Sequence, residues 1–358
     1  MKYLCSFFII LCYISLSGQT VIQPGNVSGI WGVAGSPYNI MGDITIPNAS
    51  TLTIEPGVDV VFYGHYKLNV QGQLFAVGSS SDSILFTTSD SLISWAGIRF
   101  NYTPASNDTS KISYCVIERG HASGSGDESK GGAFYIKNFT KVLLTNSTLQ
   151  NNKSDDAGGG ISIINGWAKI TSNLIMNNTA GSHGAGIYCH SSSIPIHGNT
   201  ITGNHSTGWW ATGGGLMLWY GSNGSLIDNT ISNNYAYQAG GMFLQYNSNV
   251  YISDNIIDNN SAYINGGGII ISGTGPIVTN NVISNNYLNY GWANGGGIYV
   301  DGNGNAMIRN NFIVNNLAPL GGGGINCVSS NAKIINNLIC NNQTSNWGEE
   351  LASAEALL

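Results

Sequence analysis

DNTISNN, residues 228–234, is one of eight versions of a heptapeptide that recurs along the chain. The series runs from NSTLQNN at 146–152 to NNLICNN at 336–342, and successive versions are offset by 26 or 30 residues. A fixed period of this length is typical of solenoids, in which each repeat stacks on the next copy. The heptapeptide therefore predicts one solenoid, rather than two ordinary domains, for this chain of 358 residues.

Each repeat contains three short segments with strand character. A Gly-rich start leads into an alternating segment such as 269–272, whose isoleucines at every second position would face one way. A second segment at 276–279, a corner at 280–281 and a third segment at 282–284 follow. β-branched residues and Asn dominate, and the apolar runs are too short for helical periodicity. The prediction is an all-β parallel β-helix, a single solenoid with three strands in each coil.

Two columns of side chains should run along the axis of this solenoid. The third strands would stack one apolar residue of each coil inside, namely Leu149, Ile175, Ile201, Ile231, Ile257, Ile283, Ile313 and Ile339. The corner before them would stack Ser147, Asn173, Asn199, Asn229, Asn255, Asn281, Asn311 and Asn337. Because Asn tolerates left-handed backbone geometry and its amide can bond an identical amide one coil away, the corner predicts an internal asparagine ladder.

The composition limits the classes of partner. Net charge is −6 with only 12 Lys plus Arg, so the basic surface that nucleic acid requires is absent and we expect no nucleic-acid partner. The start of the chain combines Lys2, an apolar run at 4–16 and the small residues Ser17 and Gly18, which is the pattern of a signal peptide over 1–18. Since no later apolar run has the length of a membrane span, we expect a secreted, extracellular or cell-surface protein without a membrane-spanning segment.

The mature chain is predicted to divide into an N-terminal cap with the first coils, 19–94, regular repeats, 95–342, and a final segment, 343–358, that could cap the open core. Within that last segment, EELASAEALL at 349–358 is typical of a short helix. A cap would protect the strand edge from association, so we expect a monomer. Whether the carboxyl end is complete, how the protein attaches to a cell and which organism makes it stay open.

Four cysteines remain after the expected signal peptide. The repeat register places Cys189 and Cys327 inside the solenoid, five coils apart. We therefore expect Cys115, Cys189, Cys327 and Cys340 to be small buried hydrophobic residues rather than a disulfide framework, although one bridge is not excluded.

The stacked isoleucines and the corner ladder resemble the pectin-lyase-like superfamily, which implies a right-handed parallel β-helix. The resemblance covers most of the mature chain. Upstream, LTIEPGVDVV at 52–61, ILFTT at 84–88 and KISYCVIE at 111–118 are similar to the opening coils of uncharacterised secreted bacterial β-helix proteins, and Cys115 would occupy the ladder corner. The Gly-rich strand starts are also similar to those of adhesin-like polymorphic outer-membrane proteins, whose Phe-containing repeat this chain lacks.

Departures from the period point to a binding surface. Two repeats are longer, and their extra residues lie in the turns at 205–214 and 287–296, between the third strand and the next first strand. These turns and those between them carry a series of aromatic residues, here named the aromatic row: Trp209, Trp210, Tyr235, Tyr237, Tyr263, Tyr287, Tyr290 and Trp292. Flat aromatic faces can stack on sugar rings, so the leading hypothesis is binding of an extended polysaccharide. Each aromatic residue alone could instead pack on a neighbouring turn.

The middle residues of the first strands should extend this surface. They alternate with the inward isoleucines and are predicted to form an exposed apolar stripe beside the aromatic row. The stripe would consist of Tyr135, Tyr188, Met217, Phe243, Ile270 and Tyr299.

Catalysis is the alternative hypothesis. Asp155, Asp156 and His183 occupy the same turn in consecutive coils and could approach one another to roughly 5–7 Å. The arrangement is faintly similar to polygalacturonases, which implies a glycoside hydrolase with carboxylates as acid and base. Ser182-His183-Gly184 replaces the Gly-His-Gly of that family, and its Asn-Thr-Asp and Arg-Ile-Lys elements are missing. As acidic residues of Gly/Ser-rich turns, Asp155 and Asp156 are also compatible with solvated turn positions.

A polysaccharide lyase would need calcium and a positioned cation. Arg99, Arg119 and Lys130 are the nearby candidates for the residue that abstracts a proton in such an enzyme. No spacing of acidic residues indicates a Ca²⁺ site, so calcium is compatible with the sequence but not predicted by it. The histidines lack the spacing of a zinc site, and no metal is predicted. A third hypothesis is a non-catalytic adhesin or stalk that contacts protein. Nothing in the sequence identifies the glycan.

Overall fold

Residues 18–344 and 351–353 are described by the computed structural model, a right-handed parallel β-helix built from four parallel sheets. Each sheet takes one strand from every coil it crosses, and every strand pairs with its equivalents in the coils before and after it. The predicted all-β fold and its single solenoid are therefore confirmed. A fourth strand, two residues long, was not predicted and adds a narrow sheet at the turn.

The first-strand sheet and the second-strand sheet form two walls of the solenoid. The first-strand sheet contains Gly25–Asn26, Ile44–Ile46, Leu68–Val70, Ile98–Asn101, Phe134–Lys137, Ile161–Ile164, Ile187–His190, Leu216–Trp219, Met242–Gln245, Ile269–Ser272, Ile298–Asp301, Ile325–Cys327 and Leu351–Ser353. The second-strand sheet contains Gly29–Trp31, Thr51–Ile54, Gln73–Val77, Ser110–Ser113, Val142–Thr145, Ala168–Thr171, Ile194–His197, Gly224–Ile227, Val250–Ser253, Ile277–Thr279, Met307–Arg309 and Lys333–Ile335.

The third-strand sheet closes the solenoid, and the turn sheet follows it. The third-strand sheet contains Thr20–Ile22, Tyr38–Ile40, Asp59–Phe62, Ile84–Thr88, Cys115–Glu118, Thr148–Gln150, Leu174–Met176, Thr200–Thr202, Thr230–Ser232, Ile256–Asp258, Val282–Ser284, Phe312–Val314 and Leu338–Cys340. The turn sheet contains His121–Ala122, Lys153–Ser154, Thr179–Ala180, His205–Ser206, Tyr235–Ala236, Ser261–Ala262, Tyr287–Leu288, Leu317–Ala318 and Gln343–Thr344. Two 3-10 turns lie at Val33–Gly35 and Gly126–Ser129.

One continuous apolar core fills the solenoid. The predicted third-strand column is buried from Leu149 to Ile313, and Ile339 is half-buried at its end. Each residue of the column pairs in register with its equivalent in the next coil, as Ile231 does with Ile257. Because a single coil cannot bury this surface alone, stacking is what makes the repeat stable.

Two asparagine ladders hold the corners on either side of the third strand. In the predicted ladder, the side-chain amide of Asn173 donates to the Oδ1 of Asn199 at 3.0 Å. A second, unpredicted ladder follows the third strand, where the amide of Asn178 donates to the Oδ1 of Asn204 at 3.0 Å. The residue before a ladder position adopts left-handed backbone geometry, with φ 54° at Asn177. The two asparagines of each pair therefore have different roles. The first adopts the left-handed geometry that turns the chain, and the second forms hydrogen bonds along the axis.

The second ladder also extends over eight coils. Its members are Asn152, Asn178, Asn204, Asn234, Asn260, Asn286, Asn316 and Asn342. Upstream of the first ladder, the backbone N–H of Cys115 donates to Ser147 Oγ at 3.1 Å, which confirms the expected place of Cys115 at the corner.

The middle residues of the first strands are buried, and the predicted exposed stripe is wrong. Tyr188, Met217, Phe243, Ile270 and Tyr299 form a second apolar cluster outside the main core. Tyr135, at the same position one coil before Ser162, is fully buried as well.

The Gly-rich turn before each strand covers this cluster. Gly295 has φ 72°, and a Cβ atom there would lie 2.7 Å from the Cβ of Tyr299. Glycine thus lets the turn fold flat over the outward side chain, which a larger residue would prevent.

The chain ends and the cysteines complete the comparison with the sequence. The expected signal peptide lies almost wholly outside the described residues. Leu351–Ser353 forms a strand that pairs with Ile325–Cys327, so the predicted helix is wrong for these three residues, and the rest of that segment lies outside the described part. Cys115, Cys189, Cys327 and Cys340 are free thiols. Cys115 and Cys189 are buried as expected, whereas Cys327 and Cys340, in the last coils, are half-buried and the prediction of burial is wrong for them. Burial raises the pKa of the Cys115 thiol to about 12, which suits an unreactive core residue.

Candidate functional site

The aromatic row connects four consecutive coils by ring-to-ring contacts. The ring of Trp210 lies 5.1 Å from that of Tyr237, centroid to centroid, in an edge-on arrangement. Tyr237 stacks on Tyr263 at 5.2 Å, and Tyr263 stacks on Tyr290 at 5.0 Å. These separations match the distance of about 4.8 Å between neighbouring coils, so the solenoid itself sets the spacing of the rings.

Stacking decides which aromatic faces are available to a ligand. Because Tyr237, Tyr263 and Tyr290 stack on one another along the axis, the middle rings present mainly their edges and hydroxyls to solvent. The flat surfaces lie on the tryptophans, since Trp209 is 85% exposed, Trp210 65% and Trp292 70%. The row is thus a strip of phenol edges with tryptophan at both ends.

A cleft opens at one end of the row. Its volume is about 230 Å³, and its walls are the Ser206–Gly208 segment, Trp209, Tyr235, Tyr237 and Tyr263. Tyr235 belongs to the turn sheet, where its ring contacts His205 edge-on at 4.7 Å. Burial raises the pKa of Tyr235, so its phenol stays a protonated hydrogen-bond donor. Tyr287 lies two coils further along the same sheet and is exposed.

The turns that carry the row contain no charged side chains. Segments 203–214, 233–240, 259–268 and 285–297 lack Asp, Glu, Lys and Arg. Gly, Asn, Ser and Thr supply the polar groups between the aromatic residues. This part of the surface therefore offers apolar faces and neutral hydrogen-bonding groups only.

Turns in earlier coils are charged, and their charges are mutually paired. Asp155 Oδ1 lies 2.8 Å from His121 Nε2. Partial burial raises the pKa of Asp155, but the hydrogen bond and charge of His121 lower it further, so the net shift is downward. Asp127 is held by Lys137 at 2.8 Å, and Glu128 by Lys67 at 3.1 Å.

Asp156 and His183 face a different cleft from the His121 pair. Asp156 Oδ2 lies 2.6 Å from Lys130 Nζ, and both residues line a cleft of about 440 Å³ together with His183. Burial lowers the pKa of His183, and the charge of Asp156 only partly offsets this effect. The Nδ1 of His183 lies 2.8 Å from the hydroxyl of Thr212. Of the three residues considered for catalysis, the structure thus brings Asp156 and His183 together and directs Asp155 to His121.

The three cations considered for proton abstraction occupy unlike positions. Arg99 is buried, and its guanidinium donates to the carbonyl oxygens of Asp127, Lys130 and Gly131 at 2.6–3.0 Å. It therefore holds the loop that carries Lys130. Arg119 lines a separate cleft of about 450 Å³ near His121. Only Lys130 shares the cleft of Asp156 and His183.

Sequence reasoning missed the aromatic wall of this cleft. Trp219 follows the buried Leu218 at the end of a first strand, and its ring contacts those of His190, Tyr220 and Tyr246 at 4.9–6.5 Å. The signal was the WYG run at 219–221, where two aromatic residues mark the end of a strand. The predicted stripe consisted of the middle residues of the first strands, and it did not include Trp219, which is the last residue of its strand.

Across residues 18–344, no group of three or more His, Cys, Asp or Glu side chains is placed to hold a metal ion. No helix among the described residues has the length and apolar character of a membrane span.

Comparison with known proteins agrees with the architecture. Residues 132–291 match a family model described as right handed beta helix region. No curated protein matches the chain, and no solved structure matches it either. The matched region contains most of the aromatic row and every residue that lines the cleft of Asp156 and Trp219 except Lys130.

Proposed function

We propose that this right-handed parallel β-helix protein, whose fold fits the pectin-lyase-like superfamily, binds a neutral, extended polysaccharide along its aromatic row. The observation that carries the proposal is the chain of ring contacts from Trp210 to Tyr290 across four coils, which begins and ends in the two turns that are longer than the repeat. Exposed aromatic surface of this extent is characteristic of an interaction site.

The dimensions of the row favour a polymer over a single sugar. Trp209 and Trp292 lie in turns three coils apart, which corresponds to about 14 Å along the axis. Several linked sugar units would be needed to reach from one tryptophan to the other. The exposed indole faces would stack on sugar rings at the two ends, and the tyrosine edges would contact the chain between them.

The chemistry of the row favours an uncharged chain. Sugar hydroxyls would bond to Thr207 and the tyrosine hydroxyls, all of which are neutral. A charged polymer would find no opposite charge in these turns and would lose hydration without compensation. Export through the predicted signal peptide at 1–18 belongs to the same proposal, because extended polysaccharides of this kind lie outside cells.

A binding assay with a panel of soluble polysaccharides tests the proposal. Affinity electrophoresis of the mature protein should show retardation by at least one neutral polysaccharide and weaker retardation by charged ones. Replacing Trp209, Trp210 and Trp292 together by Ala should lower the affinity at least about tenfold, because clustered aromatic anchors dominate such surfaces. Tyr251→Ala is the matched control, since Tyr251 is 40% exposed on the second-strand sheet, away from the row.

The same incubations distinguish the other hypotheses. Samples with and without Ca²⁺ are read for new reducing ends and unsaturated products, and product formation would replace simple binding by hydrolase or lyase activity. Absence of retention by the whole panel would remove the polysaccharide and favour an adhesin or stalk that contacts protein. Equal loss of affinity in Tyr251→Ala and in the triple variant would place the site elsewhere.

A further inference from the structure

A second cleft lies on the outer face of the first-strand sheet, and its turn residues Lys130, Asp156 and His183 lie three, two and one coils before the turn of Trp209. Its floor is a column formed by the fourth residue of three successive first strands. These residues, Ile164, His190 and Trp219, pair in register across three coils. We name it the Trp219 cleft. Its volume of about 440 Å³ is close to the lower end of the range typical for small-ligand sites.

The Trp219 cleft combines an ion pair with an aromatic wall. Lys130 and Asp156, 2.6 Å apart, form its charged side, and their charges cancel. Tyr188 and Trp219 supply aromatic rings to its lining, with ring centroids 6.4 Å apart. Burial lowers the pKa of His183, so this imidazole is uncharged at neutral pH.

An unpartnered donor adds independent evidence. The indole Nε1–H of Trp219 is buried without a hydrogen-bond acceptor, whereas a buried donor ordinarily finds one. Tyr220 and Tyr246, 49% and 46% exposed, continue the aromatic surface outward from Trp219. The cleft thus has a flat apolar wall, and a carboxylate and an ammonium group that can accept and donate.

We propose that the Trp219 cleft is a second carbohydrate site, which holds one neutral sugar unit between Trp219 and the Lys130–Asp156 pair. A pyranose ring has apolar C–H faces for the indole and hydroxyl groups for both members of the ion pair. Cancelled charges exclude a strong preference for an ionic ligand. The choice of ligand class rests on the proposed function of the row, but the cleft shares no residue with the row and can bind without it.

Fluorine NMR of protein labelled with 5-fluorotryptophan tests the site. The chain has eight tryptophans, and the Trp219→Phe variant identifies the resonance of Trp219. Glucose, galactose, mannose and N-acetylglucosamine are titrated singly. We expect at least one to shift this resonance, and Asp156→Asn to weaken that sugar's affinity at least about tenfold, as hydrogen bonds to charged groups do.

Two controls separate this site from the rest of the surface. Asp155→Asn changes the neighbouring acid, which pairs with His121, and Trp209→Ala changes the row; both should leave the affinity within about twofold. Thermal unfolding confirms that each variant is folded. No shift of the Trp219 resonance with any of the four sugars would overturn the proposal, as would equal weakening by Asp155→Asn. This experiment uses monosaccharides and is read at the Trp219 resonance. Its result therefore does not depend on whether the aromatic row retains a polysaccharide.

Discussion

The asparagine corner and the aromatic turn are five residues apart in the same coil and follow opposite rules. Asn204 is fully buried and bonds to equivalent asparagines in the coils on either side. Trp209 is 85% exposed, and the turn around it is longer than in the preceding coil. The same residue recurs in successive coils where its side chain bonds to the equivalent residue of the next coil. Residue type and turn length vary where the surface faces solvent or a ligand.

This comparison distinguishes ladder residues, which stabilise the solenoid, from turn residues, which are available for binding. A ladder amide bonds to the amide of the equivalent residue one coil away, so nearly every coil carries Asn there, and Ser147 takes this place at the start of the first ladder. A turn residue bonds to solvent or to a ligand, so length and residue type can change from coil to coil. Removing a corner residue should therefore affect stability, and removing a turn residue should affect binding.

The largest expected effect is at the corner. Asn234→Ala removes the acceptor of the Asn204 backbone and side-chain N–H groups and the donor to Ile201, all within a fully buried ladder. Orphaned buried polar groups cost about 1–3 kcal/mol each, so we expect the free energy of unfolding to fall by about 2–4 kcal/mol. Chemical denaturation followed by circular dichroism measures the change.

The control for this prediction is an exposed asparagine of the turn. Asn289→Ala should change the free energy of unfolding by less than about 0.5 kcal/mol. Similar values for both variants would mean that the ladder contributes no more than any surface asparagine, and the comparison of corner and turn would fail.

The corner shows why most of the fold was predictable. The heptapeptide repeats both its central apolar residue and its asparagines, and parallel stacking converts that repetition directly into columns. The second ladder was equally visible, since the last residue of all eight heptapeptides is Asn. The two-residue strands of the turn sheet were not predictable, because pairs such as Ser261–Ala262 carry no alternation.

Site prediction was harder because it depended on contacts across coils. The positions of Tyr188 and Phe243 in a strand predicted that they face outward, but not that a flat glycine turn would cover them. Asp155 and Asp156 are adjacent in sequence, yet consecutive residues point apart, and their partners His121 and Lys130 come from other turns. The aromatic row could be located because the first and last of its turns are the two that break the period.

A smaller effect is expected from the half-buried histidine of a turn. Burial lowers the pKa of His183 below its unfolded value, so the folded state binds fewer protons. The stability this contributes is present above the unfolded pKa, about 6.5, and is lost as the pH falls toward the lower folded pKa. The melting temperature should therefore decline between about pH 7.5 and 5.5, and it should decline less steeply in His183→Gln.

Asparagine amides do not titrate, so this decline does not report on the corner. His190, His197 and His205 also have pKa values lowered by burial, and part of the decline should persist in the variant. Melting curves across this pH range, with Asn289→Ala as a control for substitution in a turn, measure the difference. Identical slopes for the parent and His183→Gln would show that His183 contributes nothing to the pH dependence.

The smallest expected effect on stability is at the exposed end of the comparison. Trp209→Ala removes a large side chain that is mostly in solvent and touches Tyr237 only at a centroid distance of 6.1 Å. We expect the free energy of unfolding to change by less than about 0.5 kcal/mol. Denaturation measured beside Asn234→Ala provides the test. A loss as large as that of the ladder variant would mean that Trp209 stabilises the fold. The aromatic row would then have a structural role and not the proposed binding role.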